Sequence, residues 1–125
     1  MPQLVVDARF VYVTTYDGPS WSWSSNVLPG DRQAVGDVEG ALQTWAKYTL
    51  VYRPEEADII LVVQKRTSED ILAVYQGQGG LYLYKLAESS MPLWRGMKEG
   101  GLDSKELPLM TEFRKAVEAA EAQKR

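Results

Sequence analysis

The chain contains no cysteine and no histidine. Without cysteine there are no disulfides, no thiolate metal sites and no cysteine nucleophile, and the redox compartment is left open. Histidine is the usual general base near neutral pH and the commonest metal ligand. Its absence removes Ser-His-Asp and Cys-His catalysis and most zinc chemistry. No apolar run approaches the roughly 18 residues that a membrane helix needs. A basic face is lacking too. The net charge is −3, and Lys65-Arg66 and Lys124-Arg125 are isolated pairs, which argues against nucleic acid as a partner. Met1 to Asp7 has neither the charged nor the apolar region of a secretory leader, a feature that a mature segment behind a removed leader would share.

What is present belongs to a globular domain. The 125 residues are 45% hydrophobic and 25% charged, enough for one domain with a core that needs no covalent staples. Residues 1–125 are read as a single α/β domain, with flexible ends expected at 1–7 and 121–125. From Ala8 to Thr15 apolar and aromatic residues alternate, the signature of a strand. A long irregular stretch from Asp17 to Gly30 follows, rich in Gly, Pro and Ser. Pro29-Gly30-Asp31 then punctuates a helix start, with Asp31 as its cap. Val35, Val38, Leu42 and Trp45 place one apolar stripe of that helix against a sheet. Gly36 and Gly40 lie close to the stripe, and close approach of helix to sheet is the expected reason, with a frayed start as the alternative.

Leu50-Val51-Tyr52 reads as a short strand and Pro54-Glu55-Glu56-Ala57 as a helical turn. The five aliphatic residues Ile59 to Val63 form a strand buried on both faces, because a continuous run replaces alternation. Ile71 to Gln76 and Leu81 to Leu86 flank Gly77-Gln78-Gly79-Gly80 and read as a hairpin. Pro92 to Gly96 is a last short strand. A helix from about Leu107 to Gln123 carries Leu109, Phe113, Val117 and Ala120 on one side. The fold expected is α/β: a mixed sheet of about five strands, a β-α-β crossover followed by a meander, with helices on its faces. Three layers are favoured over two, the terminal helix covering the face opposite the first helix.

The candidate site residues are few. Trp21 and Trp23, two residues apart on the polar loop, would stack on a sugar ring or anchor a partner. The competing and more ordinary reading folds them down as a lid over the core. Tyr82 and Tyr84, with Tyr75, make a tyrosine-rich sheet surface, either cross-strand packing under a helix or a dimer face. Asp17 lies beyond the carboxyl end of the first strand, where ligands of such sheets collect, and Asp17-Gly18 is equally an ordinary turn. The glycine run at 77–80 lacks the lysine and the following helix of a phosphate cradle, so it reads as a turn. Glu55-Glu56 and Glu69-Asp70 read as solvated acids at loop starts, not as a hydrolase pair. The serines at 20, 22, 24 and 25 have no nucleophile elbow around them. No cofactor or metal motif is found, and none is expected.

The helix ending Leu42-Gln43-Thr44-Trp45, the short strand after it, and then Pro54-Glu55-Glu56-Ala57-Asp58 leading into Ile59-Ile60-Leu61-Val62-Val63 form a familiar layout. It resembles a group of small, uncharacterised, often exported bacterial proteins. Val11-Tyr12-Val13 and Leu93-Trp94-Arg95 match that group as well. The order is also similar, in fold only, to the amino-terminal domain of the Tol-Pal translocation protein and to curli-secretion-type lipoprotein domains. The resemblance implies an envelope or periplasmic location, and the group has no assigned catalytic residues to carry over. Three functions follow as expectations. The first is a non-catalytic binding or accessory domain of the bacterial cell envelope with a protein partner. The second is an enzyme built on carboxylates such as Asp17. The third is a homodimer formed through the second sheet face.

Overall fold

The computed structural model describes residues 1–15, 29–65, 69–77, 92–102 and 107–123. Its elements are α1 (Gln3–Asp7), β1 (Phe10–Thr15), α2 (Pro29–Trp45), β2 (Thr49–Leu50), a 3-10 turn (Pro54–Glu56), β3 (Ile59–Gln64), β4 (Asp70–Gln76), β5 (Trp94–Lys98) and α3 (Pro108–Gln123). The strands form one sheet in the order β2-β1-β3-β4-β5. β1 runs parallel to both β2 and β3, while β3 with β4 and β4 with β5 are antiparallel. The sheet is mixed, and the fold is α/β.

The aliphatic run is the interior rib of that sheet. Ile59 to Val63 pair with Val11 to Thr15 on one side and with Leu72 to Gln76 on the other. None of the five is more than 1% exposed. Alternation divides them. Ile59, Leu61 and Val63 join Val11, Val13, Leu72 and Val74 in the larger cluster, whereas Ile60 and Val62 join Ile71, Ala73 and Tyr75 on the opposite face. Fully burying one such side chain is worth roughly 1.5–3 kcal/mol, so this rib is a substantial part of the core.

The terminal helix is not where the sequence suggested. α1, α2 and α3 all contribute to the first cluster, through Val5, through Ala34, Val35, Val38 and Leu42, and through Leu109, Phe113 and Val117. None of the three contributes to the second. The apolar stripe of α3 is as expected, but it faces α2's side of the sheet. The reason is aromatic. The Phe113 ring lies 6.1 Å from Trp45, 6.4 Å from Tyr48 and 5.3 Å from Trp94, edge-on, stacked and tilted respectively. Such pairs add about 0.5–1.5 kcal/mol each beyond the area they bury.

Other expectations change as well. Residues 3–7, expected as part of a flexible end, form a helix. Val5 is fully buried, and the Tyr48 hydroxyl donates to its carbonyl at 2.8 Å. At the other end α3 continues through Gln123, and Lys47 bridges to Glu121 at 3.2 Å. α2 begins at Pro29, which puts Asp31 inside the first turn instead of at the cap. β4 has β3 on one edge and β5 on the other. The hairpin expected between Ile71–Gln76 and Leu81–Leu86 rests on residues 81–86, which lie outside the described residues. Gly77 is required by contact: a Cβ there would stand 2.5 Å from the Ala57 carbonyl oxygen. Its amide donates to the Asp58 carbonyl at 2.9 Å, tying the end of β4 to the start of β3.

Candidate functional site: the α2–α3 groove

Because α2 and α3 share one face of the sheet, their outer flanks enclose a groove of about 750 Å³. α2 supplies Gln33, Gly36, Asp37, Gly40, Ala41, Thr44 and Trp45, and α3 with the residue before it supplies Leu107, Met110, Thr111 and Arg114. The floor is apolar. Met110 and Leu107 are buried beneath it, and the half-buried Ala41 and Trp45 form its α2 wall. The rim is polar, with Asp37 and Gln33 towards the start of α2 and Arg114 beside the last residue of that helix. A volume of this size lies within the range of ordinary ligand sites.

The two helix glycines sit on this groove. Among the described residues, no heavy atom beyond the neighbouring backbone of the helix itself lies within 4 Å of where a Cβ on Gly36 or Gly40 would be, and both residues are exposed. They do not serve close approach to the sheet. Each costs about 1 kcal/mol of helix stability against alanine, with no packing gained against the described residues. Gly36 also borders a shallower depression of about 470 Å³ on the other flank of α2, with Arg32, Val35 and Glu39. Burial raises the Glu39 carboxyl above its ordinary range.

Local contacts fix the groove walls. Thr44 Oγ1 donates to the Gly40 carbonyl at 3.1 Å, one turn back along α2. The Arg114 guanidinium stacks over the Trp45 ring at 5.3 Å and reaches Glu118 at 3.6 Å. The Arg114–Glu118 pair is half exposed and contributes little, whereas the cation–π contact holds the guanidinium at the rim. On the second sheet face, burial raises the Tyr12 phenol. The charges of Glu39 and Glu55 push the same way, against a lowering hydrogen bond from Thr14.

The carboxylates elsewhere have structural duties. Asp58 Oδ2 accepts from the amides of Arg9 and Phe10, both at 3.0 Å, and so pins the start of β1 to the turn before β3. Asp70 is 3% exposed, not a solvated loop acid, and accepts from the Leu102 amide at 2.9 Å. Glu55 and Glu56 are exposed on the 3-10 turn, as is Glu69 at its loop. Among the described residues no group of three or more metal-ligating side chains converges.

The residues singled out from the sequence, Asp17, Trp21, Trp23, Tyr82 and Tyr84, lie outside the described residues. Tyr75 is interior, 4% exposed among Ile60, Val62, Ile71 and Ala73. Those side chains are buried in the single chain. The groove was missed although part of its signal was present: Gly36, Gly40 and Thr44 recur every fourth residue beside the apolar stripe. Its second wall depended on where α3 docks. No family model matches the chain, and no curated protein and no solved structure matches it either.

Proposed function

We propose that the chain is a non-catalytic binding domain whose α2–α3 groove receives an amphipathic helical segment of a protein partner. The observation that carries this reading is the pair of uncovered glycines in an apolar groove with a polar rim. Bare backbone at Gly36 and Gly40 lets a second helix approach closely, and Ala41, Trp45 and Met110 offer its apolar side a floor. From Gly36 to Thr44 the wall is about 12 Å long, room for roughly two turns of a docked helix. Asp37 and Arg114 at the rim would set its direction by charge. The layout of residues 42–63, which resembles that of small exported bacterial proteins, favours a place in the cell envelope.

A photo-crosslinking residue at exposed position 44, introduced in the producing cells, tests the reading. The expected result is one discrete cross-linked partner protein, lost when Gly36 and Gly40 are both replaced by leucine. The same residue at Lys115, exposed on α3 outside the groove, should capture nothing discrete. Equal capture from both positions, or capture that survives the leucine variant, refutes the groove. A product of two copies of this chain replaces the partner with self-association.

A further inference from the structure

A second feature lies at the carboxyl ends of the parallel strands β1 and β3, away from the groove and independent of it. Thr15, the last residue of β1, is 3% exposed, and its Oγ1 is buried without a hydrogen-bond partner. Native interiors rarely leave a hydroxyl in that state, because it keeps the cost of desolvation and gains nothing. Strand alternation places Thr15 on the same side as Val11 and Val13, the side packed by α2. Its neighbour across the parallel pairing is Val63. Lys65, two residues further along, continues on that side.

α2 closes the corner from above. A Cβ on Gly30, in the first turn of α2, would lie 3.8 Å from Lys65 Cδ, so the amino end of the helix stands over that lysine. Lys65 also has a partner within the chain, and what it brings here is positive charge. Three features that favour an anion therefore lie at this end of the sheet. They are the positive end of a 17-residue helix, a lysine ammonium and a buried hydroxyl with a proton to donate. The crevice beyond the carboxyl ends of parallel strands is also where open α/β sheets take their ligands.

We infer that this corner binds a phosphate group, free or as a phosphomonoester, with Thr15 Oγ1 donating to one of its oxygens. The amino end of α2 faces the phosphate and Lys65 supplies its counter-charge. Helix dipole, ammonium and hydroxyl are the combination that recurs around phosphate in proteins. No bond is made or broken; the site binds.

The test is thermal unfolding and isothermal titration of the whole chain with inorganic phosphate and with a phosphomonoester, at constant ionic strength, with acetate as control. Phosphate should raise the unfolding midpoint and acetate should not. Thr15→Val should unfold at a higher temperature than the parent without ligand, because an unsatisfied hydroxyl has gone. It should bind phosphate about tenfold or more weakly, the loss of one charge-assisted hydrogen bond. Thr15→Ser should retain binding, and Lys65→Met should weaken it by about tenfold. A phosphomonoester effect without one from inorganic phosphate assigns the site to an esterified ligand. The inference is overturned by any of three results. These are no response to either phosphate, an equal response to acetate, or a Thr15→Val protein that binds as the parent does. If Thr15→Val does not fold, the Thr15→Ser and Lys65→Met titrations decide: unchanged binding in Lys65→Met, or lost binding in Thr15→Ser, overturns it.

Discussion

Replacing both Gly36 and Gly40 with alanine should make the protein more stable and its groove less useful. Glycine inside a helix costs about 0.8–1.0 kcal/mol relative to alanine, through the backbone entropy it loses on folding. That gain is realised only where the new methyl meets nothing, and no described residue beyond the neighbouring helix backbone comes within 4 Å of either Cβ position. The double substitution should therefore add about 2 kcal/mol. For 125 residues, an unfolding entropy of about 2.1 cal/mol/K per residue gives roughly 0.26 kcal/mol/K, so the midpoint should rise by about 8 °C. Scanning calorimetry and urea unfolding both measure this. The two methyls also enter the groove where a partner helix would approach, so affinity for the cross-linked partner should fall by about tenfold, a stability–function trade-off. A midpoint that stays put or drops would refute the claim that the glycines are uncovered. A higher midpoint with undiminished partner binding would refute the groove.

Three further outcomes are expected. Asp58→Ala removes the acceptor of the Arg9 and Phe10 amides; it should cost about 1–2 kcal/mol and speed hydrogen exchange at those two amides, and unchanged exchange would contradict the pinning role. Gly77→Ala drives a Cβ to 2.5 Å from a backbone oxygen and should cost about 2–4 kcal/mol in urea, whereas a loss below about 1 kcal/mol would show that the end of β4 yields freely. Burial, aided by the negative charge of Glu121, holds the Tyr48 phenol well above its ordinary range. A folded value above the unfolded one means that its contribution is complete below about pH 10 and declines as the pH rises further. Tyr48→Phe should cost about 1 kcal/mol at neutral pH and flatten the alkaline loss of stability. Part of the slope should persist, since Tyr12 is raised as well. An unaltered slope would contradict the buried Tyr48–Val5 hydrogen bond.

The sequence disclosed those parts of the fold in which one segment dictates its own surroundings. Ile59 to Val63 is such a segment, since a continuous aliphatic run is stable only when both faces are covered, and it is paired on both edges as well. The apolar stripes of α2 and α3 are others. A stripe, however, says which side of a helix is apolar and not which side of the sheet it meets. Both faces of β3 and β4 are equally apolar, so the choice fell to Phe113 meeting Trp45, Tyr48 and Trp94, partners remote in the chain. α1 was hidden for a similar reason. Five residues with no side-chain cap make a poor helix alone, and its hold is the Tyr48 hydroxyl on Val5, 43 residues away. Gly77 was conspicuous, but a turn and a close contact leave the same letter in the sequence. Gly36 and Gly40 were likewise visible, and their meaning depended on knowing that no described residue covers them. The loop and tyrosine positions favoured from the sequence, Asp17, Trp21, Trp23, Tyr82 and Tyr84, are outside the described residues, so the groove stands on evidence of its own.

The most direct measurement is a two-dimensional amide NMR titration of the isotopically labelled chain with the partner captured from position 44. Shifts concentrated at Gly36, Gly40, Thr44, Met110, Thr111 and Arg114, with Ile60, Val62 and Ala73 unmoved, are what a helix seated between α2 and α3 produces. Shifts gathered on any other surface, with those groove amides unchanged, would contradict it.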